Sequence, residues 1–384
     1  MFIYYALLLL GLVPLLRGHV TFTWYNKAYW YVLVPIILCF GYMTGSDWRN
    51  YELEWNLINV DNYNPFEDGY EEPGYWFLCY YAKKIGLGFW ELNILIKLIG
   101  YYAFLRIYRF FDNNCAWGLS YALVFWMLNS LINFPARNFC AWICFFYGLK
   151  YIYERDWKKY IIVCALGLFF HKATIFSIPL YFLTYRMKEK SLKMSIWFII
   201  PIVYLILVFR VQLLEYFSLL KFLDLDRRIG NYLESGTDNP YLQRTSFSVG
   251  LIIRSLVFVV ATFYYKEITS RFKYGQFVLN MGLVVVLYDA IATFIPIIAR
   301  AHGSILIMYC VLFSYLMQVV KVNRILIKGI VTAILLLYTT LTIQQGYIYV
   351  PYSNYLTYIF RDKPSYFYRD SYNKKHTPFK DLHQ

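Results

Sequence analysis

Long apolar runs recur along most of the chain and leave no room for polar faces. The run IWFIIPIVYLILVF, residues 196–209, is one example. A helix or strand of a soluble core would instead show polar residues at regular intervals between its apolar positions. A membrane barrel would need strands of about ten residues that alternate in polarity. The pattern therefore predicts an all-α, polytopic integral membrane protein.

A window of roughly 20 residues predicts about twelve membrane-spanning helices. Several are short for a bilayer of about 30 Å, which indicates local thinning or re-entrant geometry. We expect a single transmembrane domain over residues 1–343, followed by a tail over residues 344–384. The predicted spans lie at about 2–16, 29–43, 89–108, 115–133, 138–153, 157–170, 173–185, 194–209, 247–265, 276–298, 301–320 and 325–343.

The basic residues of the loops predict the orientation. If the N-terminus lies outside, Lys and Arg are denser in the inner loops than in the outer ones, as the positive-inside rule requires. The long segments 44–88 and 210–246 then form extracytoplasmic loops that cap a cavity open sideways to lipid, and the tail is also extracytoplasmic. Arg17 follows the first apolar run without a small-residue cleavage site, so we expect an uncleaved first helix.

Composition supports this class and narrows the partners. Hydrophobic residues make up 60% of the chain and charged residues only 16%. The formal net charge of +14 is dispersed over short loops, which fits attraction to membrane lipid rather than binding of nucleic acid. The seven cysteines lack a CxxC spacing, so we expect packing thiols and neither a metal site nor a disulfide framework.

An acidic and aromatic stretch, residues 41–75, interrupts this lipid-like pattern. Pro73 suits the first turn of a helix, which the following aromatic residues would hold at the membrane interface. The stretch supplies most of the candidate carboxylates. These are Asp47, Glu52, Glu54, Glu71 and Glu72.

Five further ionisable residues interrupt apolar runs, and the predicted topology places all of them near the outer face: Arg137, His171, Lys172, Arg300 and His302. Each alone could extend its charge to the lipid headgroups. Several at one level predict an anion pocket. Arginine forks bind phosphate oxygens and neutralise a diphosphate leaving group, while a carboxylate takes the proton from an attacking hydroxyl. A lipid diphosphate donor would place its charges at this surface.

Short motifs in a fixed order resemble the EpsG family of Wzy-type bacterial polysaccharide polymerases over nearly the whole chain. They are TGSDWRNYE, EEPGYWFL, NFPARNFCAWICFFYGLKYI, FFHKATIFSIPLYFL, ARAHGSILIMY and PYSNYL. The resemblance implies a GT-C-like membrane glycosyltransferase that joins undecaprenyl-diphosphate-linked oligosaccharide repeats on the outer face of the bacterial cytoplasmic membrane. The product would be a capsular, exopolysaccharide or O-antigen chain.

The motifs also imply site residues. Gly45, Asp47 and Tyr51 match a GxDxxxY-like element, and Glu72, Gly74 and Tyr75 match an ExGY element. Arg137 matches an arginine at a helix start, His171 matches a Phe-His pair, and Arg300 matches an arginine late in the chain. We expect catalytic roles for Asp47, Glu72 and His171, diphosphate contacts from Arg137, Arg300, Lys172 and Arg49, and sugar contacts from Tyr51, Trp48 and Tyr75.

The chain departs from the family pattern at two positions. Tyr42 and Met43 stand where members often carry an arginine, so Arg49 either substitutes for it or the contact is absent. Asn138 follows Arg137 where a glutamine is common.

The implied reaction needs no metal and no cofactor, because cationic side chains would neutralise the leaving group. A chain-length regulator of the export system is a candidate protein partner. Three alternatives stay open: a flippase or transporter of lipid-linked oligosaccharide, a ligase of lipid-linked glycan, and a membrane O-acyltransferase with His171 as base. A transporter should show pseudo-repeats, which are not evident, and an acyltransferase should carry polar chemistry to the inner face.

Overall fold

The computed structural model describes residues 2–16, 24–45, 47–62, 72–113, 116–183, 187–208, 249–292, 296–320, 324–344, 349 and 352–376. In these ranges the secondary structure is helical, apart from one isolated bridge between Gly41 and Asn354. The all-α prediction is confirmed for this part of the chain. The predicted outer loop at 210–246, Glu71 and Cys115 lie outside the described residues.

In the described ranges up to Phe170 there are nine α-helices. Helix α1 covers Phe2–Leu16; α2, Trp24–Ala28, continues through a π-helical turn, Tyr29–Leu33, into α3, Val34–Leu38. The acidic stretch forms α4, Trp48–Leu57, and α5, Pro73–Lys84. There follow α6, Phe89–Phe111, α7, Ala116–Ala122, with a π-helical extension Leu123–Asn133, α8, Ala136–Glu154, and α9, Trp157–Phe170. As predicted, α5 begins at Pro73.

The predicted seventh span is broken. A 3₁₀ turn, Lys172–Ser177, precedes the short α10, Leu180–Leu183, because Pro179 between them cannot supply a backbone donor. The later helices are α11, Glu189–Trp197, α12, Ile199–Val208, α13, Val249–Phe263, α14, Tyr265–Arg271, α15, Gly275–Ala292, α16, Pro296–Val319, and α17, Arg324–Gln344. A 3₁₀ turn, Tyr355–Tyr358, and α18, Tyr366–His376, follow.

Within the described ranges, three helical segments are long and apolar enough to cross a membrane: Gly275–Ala292, Arg300–Val319 and Ile325–Ile343. The bent pair α13 and α14, with 76° between its helices, gives a fourth if it counts as one span. Apolar helices of this kind indicate a multi-pass membrane protein. The number of twelve spans stays a prediction.

Helix α16 lies at the centre of the bundle and α17 at its edge. The apolar window of α16 is 89% buried, whereas that of α17 is only 11% buried. Helix α16 packs against α15, α7, α8 and α13. Since both helices are apolar, hydropathy alone does not distinguish them. The exposed side of α17 is a surface for lipid.

The segment after α17 packs back onto the residues between α3 and α4 and onto the first turn of α6. The backbone amide of Tyr42 donates to Ser353 O (2.9 Å), and that of Tyr355 donates to Phe40 O (2.8 Å). Lys363 forms an ion pair with Glu91 (2.7 Å). The first part of the predicted tail is therefore joined to the acidic stretch, and α4 is covered by it.

Candidate functional site

Gly74 allows the start of α5 to approach the end of α9. A Cβ built at this position would lie 2.7 Å from the carbonyl oxygen of Phe169 and 2.7 Å from its ring. Real Cβ atoms do not come so close to backbone, so a larger residue would push the two helix ends apart. Glu72 precedes Gly74 by two residues, and His171 follows Phe169 by two. The close approach thus brings the carboxylate of Glu72 to the His171–Lys172 pair.

Gly45 plays the corresponding part on the other side of the site. Its φ of +93° is in the region that favours glycine, and a Cβ there would lie 2.7 Å from the carbonyl oxygen of Asn133. The loop before α4 therefore rests on the end of the π-helical segment. Pro135, two residues after Asn133, is the N-cap of α8. Arg137 therefore lies in the first turn of α8 and faces Tyr51 of α4.

Glu72 is the centre of the cluster, and its side chain is 5% exposed. Its carboxylate pairs with Arg137 Nη1 at 3.1 Å and accepts a hydrogen bond from the backbone amide of Lys172 at 3.0 Å. Nδ1 of His171 lies 3.6 Å from the same carboxylate. A buried carboxylate needs such partners, because burial without them is costly. Glu72 therefore connects α5, α8 and the turn after α9.

His171 connects this carboxylate to Arg300 of α16. Its Nε2 lies 3.1 Å from Arg300 Nη1, and its Nδ1 accepts from the amide of Ala173 at 3.0 Å. Both neighbours are donors; a neutral imidazole can accept from one of them, and a protonated imidazole from neither. Burial, together with the charges of Arg300, Arg137 and Lys172, lowers the pKa of His171 to about 3. His171 is accordingly neutral at physiological pH.

The cluster carries an excess of positive charge. Arg137, Arg300 and Lys172 are cationic; Glu72 is the carboxylate among them, and Glu54 also acts on Arg137. The side chain of Arg137 is 34% exposed, and Arg300 is exposed as a residue. Arg137 also lies at a helix N-terminus, where the helix dipole favours an anion. Guanidinium donors that reach solvent beside such a terminus can bind an anion with several oxygens.

The predicted aromatic residues have different surroundings. Tyr51 is half-buried, and its hydroxyl accepts from Arg137 Nε at 3.1 Å. Burial raises the pKa of Tyr51, and the Arg137 guanidinium partly opposes this rise. Tyr75 is fully buried, packs edge-on against Tyr51 and donates to Asn93 (3.0 Å), so its ring supports Tyr51 instead of facing a ligand.

Asp47 and Arg49 diverge from each other at the start of α4. Asp47 is partly exposed and lies one turn before Tyr51 on the same helix. Arg49 forms an ion pair with Asp370 of α18 and stacks on Trp48 at 4.9 Å. Arg49 therefore points to the C-terminal segment, and the structure does not bring it to Glu72. The predicted Arg49 contact with diphosphate has no support in this placement.

Arg369 of α18 was not predicted and is buried among aromatic rings. Its guanidinium pairs with Glu52 at 2.5 Å and donates to the Tyr42 hydroxyl at 2.9 Å. It lies over Trp48 and Trp90, 5.4 and 5.6 Å from their ring centroids. Trp48 is thus covered by an arginine of the same chain. Tyr42, one of the two residues at the family's usual arginine position, contacts an arginine supplied by the C-terminal segment.

A second ion pair, also unpredicted, lies deeper in the bundle. Arg254 of α13 pairs with Asp289 of α15 at 2.5 Å, and Nε2 of His302 lies 3.9 Å from the same carboxylate. All three residues are buried. Each of Arg254 and Asp289 interrupts an apolar run, which is the sequence signal that could have identified them. Across the described ranges, no three His, Cys, Asp or Glu residues are grouped as metal ligands.

Comparison with known proteins identifies a family. A family model described as the EpsG family matches residues 28–359. This range includes the Glu72 cluster, which consists of Glu72, Arg137, His171, Lys172 and Arg300. No curated protein and no solved structure matches the chain.

Proposed function

Because this chain belongs to the EpsG family, a family of Wzy-type polysaccharide polymerases, we propose that it polymerises undecaprenyl-diphosphate-linked oligosaccharide repeats on the outer face of the cytoplasmic membrane. The observation that supports this most is the cluster of Arg137, Arg300 and Lys172 around Glu72 and the neutral His171. Its cationic excess suits a diphosphate, and its apolar surroundings suit a lipid chain.

We assign the diphosphate to the exposed guanidinium donors of Arg137 and Arg300. Arginine binds phosphate oxygens through two parallel hydrogen bonds and keeps its charge at all physiological pH values. Glu72 is already engaged by three neighbours and is nearly inaccessible. It is a positioning residue in this scheme, and it holds Arg137 in the orientation that leaves its other donors for the substrate.

The reaction joins the hydroxyl oxygen of one repeat to the anomeric carbon of the growing chain. As that bond forms, the bond between the anomeric carbon and the diphosphate oxygen breaks, and its electron pair goes to the leaving undecaprenyl diphosphate. The proton of the attacking hydroxyl goes to a carboxylate, for which Asp47 is the accessible candidate at the start of α4. Arg137 and Arg300 stabilise the charge that develops on the leaving group.

The test is complementation of cells that lack this gene, with glycan ladders resolved on gels and the membrane abundance of each variant measured. We expect wild type to restore the ladder, and Arg300→Ala and Asp47→Asn to leave single lipid-linked repeats outside the membrane. Arg361→Ala, which changes an exposed arginine of the C-terminal segment, serves as matched control and should restore the ladder.

Other results would overturn the proposal in distinct ways. Accumulation of repeats on the cytoplasmic side would indicate a flippase. A ladder of normal length that stays on the lipid carrier would indicate a ligase, and a normal ladder without acyl groups would indicate an acyltransferase. Full ladders from both Arg300→Ala and Asp47→Asn would remove these residues from the site.

A further inference from the structure

A small pocket lies beside Tyr51, which is one of the residues that line it. It lies where the start of α4, the first turns of α6 and the turn before α8 meet, and its polar lining includes Thr44, Trp48, Asn93 and Lys97. Its cavity volume is about 10 Å³. This space is sufficient for about one water-sized group.

Lys97 is the charged residue of this pocket and is only 3% exposed. Among the residues that the structure describes, its ammonium group contacts no carboxylate; it lies 4.8 Å from the ring centroid of Phe134. Lysine is almost never fully buried unless it is paired. A cation–π contact offsets only part of the cost of burying a charge. In its charged form, Lys97 therefore has no anionic partner within the described ranges.

Two neutral groups of the same pocket also lack partners. The Thr44 hydroxyl oxygen and the Trp48 indole nitrogen are buried, and neither has a hydrogen-bond partner in the described ranges. The indole nitrogen only donates, the hydroxyl can donate, and the ammonium group only donates. Three residues with hydrogen-bond donors that line one small space are suited to a hydrogen-bond acceptor with negative charge.

We infer that this pocket binds the carboxylate of an acidic sugar in the polymerised repeat. The inference rests on the proposed function, which brings a sugar to Tyr51. The pocket and the cluster share this residue: the Tyr51 ring lines the pocket, and its hydroxyl accepts from Arg137. A sugar ring that contacts Tyr51 beside the diphosphate site can direct a substituent toward Lys97.

The size of the pocket favours a carboxylate oxygen over a phosphate. About 10 Å³ admits one oxygen of a planar group, whereas a tetrahedral phosphate needs room on all sides. The carboxylate can belong to a uronic acid or to an acidic substituent such as a pyruvyl ketal. The chemistry is the same in both cases, and separate probes distinguish the two sources.

The test measures binding of soluble sugars to the purified full chain in nanodiscs by saturation-transfer NMR. The probes are D-glucuronate, its neutral amide D-glucuronamide, D-glucose and a methyl 4,6-O-pyruvylidene galactoside. We expect an acidic probe to bind and the neutral ones not to. Lys97→Met should weaken that binding by about tenfold to a hundredfold, since a hydrogen bond to a charged group is lost. Lys150→Met, at a partly exposed ion pair on α8, should bind as wild type does.

Thr44→Val removes one donor at nearly constant volume and covers the case in which Lys97→Met does not fold. It should weaken binding of the acidic probe by about tenfold. Equal binding of glucuronate and glucuronamide, an unchanged affinity in Lys97→Met and Thr44→Val, or no binding of any probe would overturn the inference. Because no probe carries diphosphate, binding that depends on Lys97 is measured separately from polymerisation, and either proposal can fail alone.

Discussion

The Glu72 cluster and the Arg254–Asp289 pair contain the same types of residue but have different roles. In the first, the carboxylate is buried while the arginine side chain is 34% exposed. In the second, the side chains of Arg254 and Asp289 are only 8% and 12% exposed, and His302 is buried beside them. An ion pair whose cation reaches solvent can exchange partners with a ligand. A pair closed on both sides serves the fold.

This difference determines what each mutation should do. Loss of one partner from a closed pair leaves a buried charge without compensation, which destabilises the folded state. Loss of the partly exposed Arg137 leaves Glu72 with the Lys172 amide and lets water take the place of the guanidinium, so the fold loses less stability than it does when the closed pair is broken. Four variants, taken from the largest expected effect to the smallest, test this contrast.

Asp289→Ala should destabilise the folded protein by about 3–5 kcal/mol, because the Arg254 guanidinium stays buried without its carboxylate. Thermal unfolding of the purified protein in detergent, together with its abundance in the membrane, measures the effect. The double variant Arg254→Met with Asp289→Leu removes both charges and should recover most of the stability. A stable Asp289→Ala protein would show that the inner pair is not closed to solvent.

Arg137→Ala should lower the polymerisation rate by about a hundredfold to a thousandfold, the usual cost of removing one donor that stabilises developing negative charge. Its loss of stability should be clearly smaller than that of Asp289→Ala, because Glu72 keeps the Lys172 amide and water can reach the place of the guanidinium. Arg137→Lys keeps the charge but loses the bidentate geometry, so it should recover part of the rate. Loss of stability comparable to that of Asp289→Ala would mean that both clusters are structural.

Gly74→Ala should destabilise the protein by about 1–3 kcal/mol, since the added methyl group meets the backbone of Phe169 and must displace a helix end. The displacement moves Glu72 away from Lys172, so polymerisation should fall as well. Gly329→Ala is the matched control, because a Cβ there meets nothing within 4 Å. It should be neutral or slightly stabilising. Thermal unfolding and ladder length are measured for both.

Arg49→Gln should have the smallest effect, about 0–1 kcal/mol of stability, because its ion pair with Asp370 is partly solvated. Ladder formation should be normal, since Arg49 points away from Glu72. A loss of polymerisation at normal stability would return Arg49 to the diphosphate site, as the family pattern suggested.

Several features of the site were predictable from the sequence because charge in an apolar run is costly wherever it occurs. Arg137, His171, Lys172 and Arg300 stood out for this reason, and the structure brings them together around Glu72. The motif glycines Gly45 and Gly74 were matched by resemblance alone, and the geometry now explains them as close backbone contacts.

Other residues were missed, although the same rule applied to some of them. Lys97, Arg254 and Asp289 interrupt apolar helices, yet a single charge in a long helix does not reveal its partner. Arg369 lies in a polar segment where an arginine is unremarkable in sequence. Its burial against Glu52 depends on a contact across 317 positions of the chain.

The sequence by itself determined the helical membrane class, most helix positions and most of the charged residues of the candidate site, because hydropathy and charge act locally along the chain. Only the tertiary structure decided which helix is central, which arginine meets which carboxylate, and which aromatic faces are already covered. All three features depend on how the helices pack. Packing brings together residues that are far apart in the sequence, and the sequence pattern does not reveal these contacts. The contrast between α16 and α17 is the plainest case, since two helices of similar hydropathy are buried and exposed.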